Sequence, residues 1–292
     1  MEFIEKVRDM DDEERDALWA EFSEFSNLLW NYDGNAAIVG QDFEIDLGGR
    51  TRYNDDEDKA EDPLFSSVSE DLINRKTYYT FMRLMDNYSS ETGVAEDISE
   101  EEIEEQWSFL DAICESDVIW NIHQWLVSKE LAPEDMDEFK ECLNNVWFNM
   151  YGRSYETRKR RTEDSSAFEH IFVGETRDGE VLGFHNWMRF YQLEKHGILD
   201  YKGYYPKYGH EDDDSPVSIT IKFACEAKGI DVEKPKGGFL LGTSPEFEIG
   251  LYTAALVLSG GRDASIPITL RDYDLKIKVY CKNNRFMTAY CA

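Results

Sequence analysis

Two of the chain's five histidines, His170 and His185, fall in one short stretch, Phe168–Arg189 (FEHIFVGETRDGEVLGFHNWMR), each close to glycine and aromatic residues. Paired imidazoles suit proton transfer. With an unperturbed pKa of about 6.5, one can stay neutral as a base while the other is protonated as an acid. Cleaving a phosphodiester with its own ribose 2′-hydroxyl needs such a pair, plus a fixed cation for the charge that builds on the pentavalent phosphorane. Lys222, Lys228, Lys234 and Lys236 are the lysines that could supply it. The stretch also predicts how the two rings meet. Phe168, Ile171 and Val173 flank polar positions as in a strand, Asp178-Gly179 is a turn dipeptide, and Val181–Trp187 reads as the returning strand. A hairpin is therefore expected, with the two histidines on adjacent strands.

The elements that must carry this hairpin differ between the two halves of the chain. Of the 31 Lys+Arg and 61 Asp+Glu, residues 1–150 hold 11 and 40, a net charge of −29, while residues 151–292 hold 20 and 21, a net of −1. Apolar residues in the first half recur at three- and four-residue steps. They predict one or two helices over residues 1–32, a nearly all-helical run from Pro63 to Trp147, and a helix opened by Ser99 with Glu102 as its capping partner. The aromatic stripes on these helices read as core. After Tyr151 the pattern changes to short β-branched and aromatic runs. Val217–Phe223 alternates cleanly as a strand, and Gly238–Thr243, Ile266–Leu270, Leu275–Tyr280 and Phe286–Cys291 also read as strands. Thr243-Ser-Pro-Glu246 has the chemistry of a helix start, although the run after it also fits a strand. The expected architecture is α+β: an acidic helical lobe over residues 1–150, packed on a mainly antiparallel β lobe over residues 151–292, the two together forming one domain.

Composition narrows the class further. The 41% hydrophobic content suits a folded protein, and no apolar run approaches the roughly 20 residues of a membrane span. Five scattered cysteines, odd in number and without CxxC spacing, disfavour a disulfide framework or a zinc site and suit reduced, mostly buried thiols. The N-terminal residues lack the basic and apolar regions of a secretory leader, so a cytoplasmic location is expected unless a leader has been removed. A net charge of −30 repels polyanions. The run Arg158-Lys-Arg-Arg161, just before the histidines, is the most obvious local place for an anion.

At the level of motifs, the chain resembles the EndoU (XendoU-like) poly(U)-specific endoribonucleases, a family that includes the coronavirus uridylate-specific enzyme. The resemblance rests on Trp147-Phe148 with Tyr151-Gly-Arg153, Ser165–Glu175 (SSAFEHIFVGE), Gly183-Phe-His-Asn-Trp187 with Arg189-Phe-Tyr191, and Leu199-Asp-Tyr201. It continues through Gly242–Glu248 (GTSPEFE) with Leu251-Tyr-Thr253 and ends on Thr288-Ala-Tyr290. Nearly the whole chain is covered.

This resemblance implies a metal-stimulated ribonuclease that cleaves single-stranded RNA at uridylates and leaves a 2′,3′-cyclic phosphate. His185 is then the general base, His170 the general acid, and Lys234 the phosphorane-stabilising cation, with Lys236 its competitor if the loop is shifted by two. Thr288 and Tyr290 match positions that hold the phosphate and the nucleoside, and Arg153 and Glu169 match residues near the site. Glu169 and Glu175 read either as metal-site carboxylates or as ion-pair partners of nearby arginines. Mn²⁺ is the expected metal, with Ca²⁺ the alternative, since carboxylates suit hard cations. Gly238 stands where relatives carry serine, a residue that contacts uracil in the viral branch, so base preference is the implied property this chain supports least. A monomer acting on RNA, away from membranes, is the expectation. The rival from another class is an RNA-binding or regulatory protein that keeps the fold without turnover; the full His, His, Lys and Thr-x-Tyr set argues against it. A histidine-ligated metallohydrolase lacks a third histidine at ligand spacing.

Overall fold

The computed structural model describes residues 2–53, 57–88, 92–95, 98–206, 217–227, 230–271, 273–283 and 285–292. Lys228 lies outside them. The acidic half builds helices α1 (Glu2–Asp9) and α2 (Asp12–Tyr32), a small ribbon of β1 (Phe43–Ile45) and β2 (Phe65–Val68), then α3 (Glu70–Ile73), α4 (Lys76–Arg83), α5 (Glu100–Cys114), α6 (Asp117–Ser128) and α7 (Met136–Trp147). Local chemistry explains the starts. Asp11 with Glu14, and Ser99 with Glu102, form reciprocal capping boxes that satisfy orphan N–H groups at the heads of α2 and α5. The strand β2 departs from the all-helical expectation after Pro63, because Phe65 leaves the helical face to pack against Phe43 and Trp187.

Beyond Tyr151 come α8 (Tyr155–Arg160), a π-helical turn (Glu169–Val173), the ribbon β3 (Glu175–Arg177) and β4 (Glu180–Leu182), and α9 (Trp187–Lys195). Strands β5 (Leu199–Tyr204), β6 (Ser218–Ala227) and β7 (Ile230–Leu240) follow as one antiparallel sheet in sequence order. Helix α10 (Pro245–Leu258) then leads into β8 (Ala264–Leu270), β9 (Tyr273–Lys282) and β10 (Arg285–Cys291), a second antiparallel sheet. The α+β arrangement matches the sequence expectation, with helices at the N-terminal side and sheets at the C-terminal side.

Helix α10 is the hub. All fourteen of its residues are buried, so it shows no polar face. The earlier ambiguity over this run resolves as helix, capped by Ser244, whose hydroxyl accepts the Phe247 N–H, with Pro245 as the first helical residue. Helices α1, α2, α4, α5 and α6 pack on it, as do β9 and β10. Gly250 permits the α6 approach, since a Cβ there would stand 2.2 Å from Ile122 Cδ1. Helix α2 also lies on β8, so the change of class near residue 150 does not divide the interior. One buried apolar cluster runs from Ile4 to Cys291. Of the five free cysteines, only Cys291 is fully buried; the other four are half-buried. Among the described residues no helix is long and apolar enough to cross a membrane.

Because α2, α6 and the second sheet share this core, they should unfold together. Phe22 is fully buried against Trp125. Phe22→Ala is expected to lower stability by about 3–5 kcal/mol. Urea melts followed by far-UV circular dichroism and by tryptophan fluorescence should stay coincident, with an unchanged slope.

Candidate active site

The expected turn is present: Asp178 (φ 53°) and Gly179 (φ 80°) join β3 to β4 with both central residues left-handed. The histidines, however, are not on its strands. The buried run Phe168–Val173 forms a π-helical turn, in which Gly174 N–H reaches back to Glu169 O at 2.8 Å. His185 lies past the end of β4, one residue before Asn186, the N-cap of α9, whose side chain accepts the Arg189 N–H. The segments meet because Phe184 N–H donates to His170 O (2.9 Å) and His185 N–H to Ile171 O (2.7 Å). Gly183 (φ 60°) makes the crossing possible, since a Cβ there would fall 1.7 Å from His170 O.

Each imidazole has one nitrogen committed. His185 Nδ1–H donates to Gly238 O at 2.9 Å, which leaves Nε2 with its lone pair. His170 Nδ1–H donates to Glu175 Oε2 at 2.5 Å, and Arg153 Nε stands 3.1 Å from the same oxygen. Burial holds His185 down to about 3, with the Lys234 ammonium adding to the effect. His170 is held well below its usual range by burial and then by Arg153, Lys234 and Arg177. Both rings are therefore neutral in the empty site. Burial also lowers Lys234, to about 8.

These groups share a cleft of about 700 Å³ with Thr288, Tyr290, Gly238, Tyr205, Thr220 and Lys236. Lys234 Nζ donates to Gly183 O (2.5 Å) and Val181 O (3.3 Å), beside the histidines, whereas Lys236 Nζ sits over the Tyr205 ring at 5.9 Å. Of the remaining lysines considered, Lys222 is buried and pairs with Glu233. Tyr290 stacks on His185 with centroids 4.6 Å apart and planes 18° from parallel. The Thr288 hydroxyl is buried and, among the described residues, has no hydrogen-bond partner, an unsatisfied group at the wall of the cleft. The arrangement offers a base nitrogen, a second imidazole, a cation and a free hydroxyl around one cleft.

The family model for endoribonuclease XendoU matches residues 21–291. The chain belongs to the XendoU endoribonuclease family. It is 39% identical over 281 residues to poly(U)-specific endoribonuclease-B of Xenopus laevis, covering 93% of each chain. It is 38% identical over 271 residues to uridylate-specific endoribonuclease B of Danio rerio, covering 91% of this chain and 93% of that one. Its fold superposes on a solved structure described as XendoU, a splicing-independent snoRNA-processing endoribonuclease, with TM-score 0.81 and 38% identity over 93% of this chain and 96% of that one.

Three of the family-implied residues are placed differently from a direct role. Arg153 does not line the cleft: its guanidinium is taken up by Glu175, by the Tyr151 hydroxyl (2.5 Å) and by Met287 O (3.2 Å). It acts behind His170, so substrate contact is not its place. Glu175 is fully buried as the partner of His170 and Arg153, and buried Glu169 Oε2 accepts the Ser166 N–H at 3.2 Å. Neither fits a metal ligand, and among the described residues no group of three or more His, Cys, Asp or Glu is arranged to hold an ion. The basic run forms α8 and also lies outside the cleft. Arg158 donates to Arg153 O at 2.6 Å, while Lys159, Arg160 and Arg161 are exposed. Thr220 and Tyr205 were not singled out by sequence. Thr220 stands on the polar side of the alternating 217–223 strand, a signal present in the pattern; Tyr205 follows β5 with none.

Gly183 gives a direct test of the crossing. Gly183→Ala adds a Cβ that must push the His170 carbonyl away in a left-handed backbone. RNA cleavage should fall at least tenfold while Trp187 and the core keep their near-ultraviolet circular dichroism; full activity would mean that the crossing does not set the site.

Proposed function

We propose that this protein is an RNA endonuclease that cleaves by transesterification. The observation that carries the reading is the pairing of His185, with Nε2 free, and His170, backed by Glu175, across a cleft that also holds Lys234 and the partnerless Thr288 hydroxyl. His185 Nε2 takes the proton of the ribose 2′-hydroxyl, whose oxygen attacks phosphorus. The phosphorus to O5′ bond breaks, and His170 gives its proton to O5′. The products are a 2′,3′-cyclic phosphate and a 5′-hydroxyl, and no covalent link to the protein forms.

His170 must be protonated for that role although the empty site keeps it neutral. The phosphate supplies the difference. Its charge offsets the field of Arg153, Lys234 and Arg177, and Glu175 steadies the imidazolium through Nδ1. Lys234, displaced from two carbonyl oxygens, meets the charge on the phosphorane. The Thr288 hydroxyl donates to a phosphate oxygen, and the stacked His185 and Tyr290 rings form a wall for the nucleoside.

The relatives are named for poly(U) or uridylate cleavage, which supports uridine as the preferred base. At Gly238 a side chain would begin 2.9 Å from Ile219 O and 3.6 Å from the Thr220 hydroxyl. Thr220 thus stands where a residue-238 side chain would reach, and it is the hydroxyl available to the base. Mn²⁺, or Ca²⁺, is assigned no step. Its proposed place is the acidic surface of the helical half, where carboxylate oxygens suit hard cations.

Cleavage of a mixed-sequence RNA by His170→Ala or His185→Ala should drop by about 10²–10⁴ with unchanged circular dichroism. Mass spectrometry of the parent's products should show cyclic phosphate ends. Undiminished cleavage in either variant removes the assigned roles, and binding without cleavage in the parent favours a silent RNA-binding protein. The pH profile has a definite sign. kcat/KM, which reads the free protein, should decline as pH rises past the lowered pKa of His170. It should decline more steeply above about 8, where Lys234 loses its charge. Lys234→Arg should abolish the steeper part, because a guanidinium stays charged.

A further inference from the structure

A cavity of about 500 Å³ that the cleavage chemistry does not use lies among the π-helical turn, the β3–β4 ribbon, α9 and the strands β5 and β6, and its volume is that of a small-molecule site. Met85, Val173, Phe184, Leu193, Leu199 and Phe223 make most of its wall apolar. The cavity and the cleft stand back to back. Val181 belongs to both walls and Phe184 to the cavity, while Gly183 and His185 on either side of Phe184 belong to the cleft. Glu175 also borders the cavity, but its Oε2 is engaged by His170 and Arg153.

One guanidinium stands in this apolar wall. Among the described residues Arg189, on α9, is the only lysine or arginine that lines the cavity, and no carboxylate pairs with it. Its Nη1–H donates to Gln192 Oε1 at 2.6 Å and its Nε–H to Val173 O at 3.4 Å, both neutral acceptors; Nη2 has no partner among the described residues. Burial pulls the guanidinium down to about 10, against the charge of Asp86, an exposed residue of the same wall. His196, also exposed, keeps its Nδ1 on Gln192 O at 2.6 Å. A charge taken from water without an opposite charge beside it is costly, and a guanidinium edge suits a carboxylate.

We propose that this cavity is a binding site for a small amphipathic monoanion, a carboxylate on an apolar body, with its head on Arg189 and its body against Phe184 and Phe223. The single charge follows from Asp86, which would repel a second one. An inorganic anion would meet Arg189 but leave the apolar wall uncovered. An uncharged apolar molecule would cover the wall but leave the guanidinium unpaired. The ribose and base edges of a nucleotide would lose water in this wall for few partners. The site is separate from the cleft, and the proposal stands whatever reaction the cleft performs.

Octanoate, a flexible chain, and 2-naphthoate, a flat ring, carry that chemistry in two shapes, and calorimetric titration of the full chain compares them. At least one should bind saturably, one molecule per chain, and the tighter of the two tells a fatty acid from an aromatic one. The matching alcohol, octanol or 2-naphthol, should bind about 10- to 100-fold more weakly, and Arg189→Gln should bring the acid down to the level of its alcohol. Lys234→Ala, which removes the cation of the cleft, should leave the affinity within twofold. Cys225, half-buried in the cavity wall, gives a readout on the parent chain: bound acid should slow its alkylation by N-ethylmaleimide several-fold, while Cys142 on α7 keeps its rate. If Arg189→Gln fails to fold, the protection of Cys225 decides. Saturable binding of neither acid at millimolar concentration overturns the proposal. So does an acid that binds folded Arg189→Gln as tightly as the parent, that loses its affinity in Lys234→Ala, or that leaves Cys225 reacting at its free rate.

Discussion

Two backbone hydrogen bonds, from Phe184 and His185 to the carbonyls of His170 and Ile171, hold the two imidazoles in one site. A regular helix would have used those carbonyls internally, and a strand would have put the side chains on a flat ladder. The π-helical turn does neither. By bonding five residues back it leaves carbonyls at its edge to receive the returning chain, and it turns the His170 ring toward the cleft while Phe168 and Phe172 stay in the core. Backbone contact at this range tolerates only glycine at position 183. The conformations on either side, left-handed at Gly174, Gly183 and Phe184, are the strain through which the turn is joined to β3 and β4.

Such a crossing would be loose without support, and the support comes from α10. Asn186, next to His185, caps α9 with its oxygen and donates its Nδ2–H to Glu248 on α10. Glu248 also accepts from Thr243, whose carbonyl receives the Trp187 indole N–H. Ser244 N–H reaches Asp33 at the end of α2, and Asn35 donates to Glu246. The GTSPEFE stretch is thus a buried polar joint between the acidic helices, the α9 start and the second sheet. Burial pushes Glu248 up to about 8 and Asp33 up to about 7, so near neutral pH Glu248 is mostly protonated and Asp33 only partly ionised, in a place that offers them few cations. The site geometry therefore depends on the N-terminal half even though no described residue of that half lines the cleft.

How much of this was legible in the sequence follows from which signals are local. The Asp178-Gly179 turn, the Ser99 and Glu102 cap and the alternating 217–223 strand are set by neighbours in the chain, and the structure has them where the pattern puts them. Phe168–Val173 misled because every side chain in it is buried: with no polar face, neither period 2 nor period 3.6 leaves a mark. In hindsight Phe168, Ile171 and Phe172 stand at helical spacing, and Asn186 marks a helix start inside the run read as a returning strand. The Thr243–Glu246 cap is off by one, since Pro245 as first helical residue makes Ser244 the cap. Motif resemblance located the histidines, Lys234, Thr288 and Tyr290, which the fold then gathers into one cleft. It could not tell a residue that faces that space from one behind it, which is why Arg153 read only as near the site and Glu175 as either a metal carboxylate or an ion-pair partner of an arginine; in the structure Glu175 pairs with Arg153. Their burial comes from β10 and the Tyr151 segment, which approach from more than a hundred residues away in the case of Met287.

Electrostatics resolves the apparent conflict between a chain of charge −30 and a polyanionic substrate. The acids lie mainly on the helical half and act through water, where salt screens them within about 10 Å. The cations that matter at the site are few but sheltered: Lys234 and Arg153 act on the histidines through a medium far less polarisable than water. Burial first, and those same cations second, keep both imidazoles neutral in the empty cleft. In the proposed mechanism a base is therefore ready before RNA arrives, while the acid is created by the phosphate that needs it. Burial leaves His170 unprotonated in the empty cleft, so on the proposed mechanism substrate binding and the gain of the catalytic proton are one event.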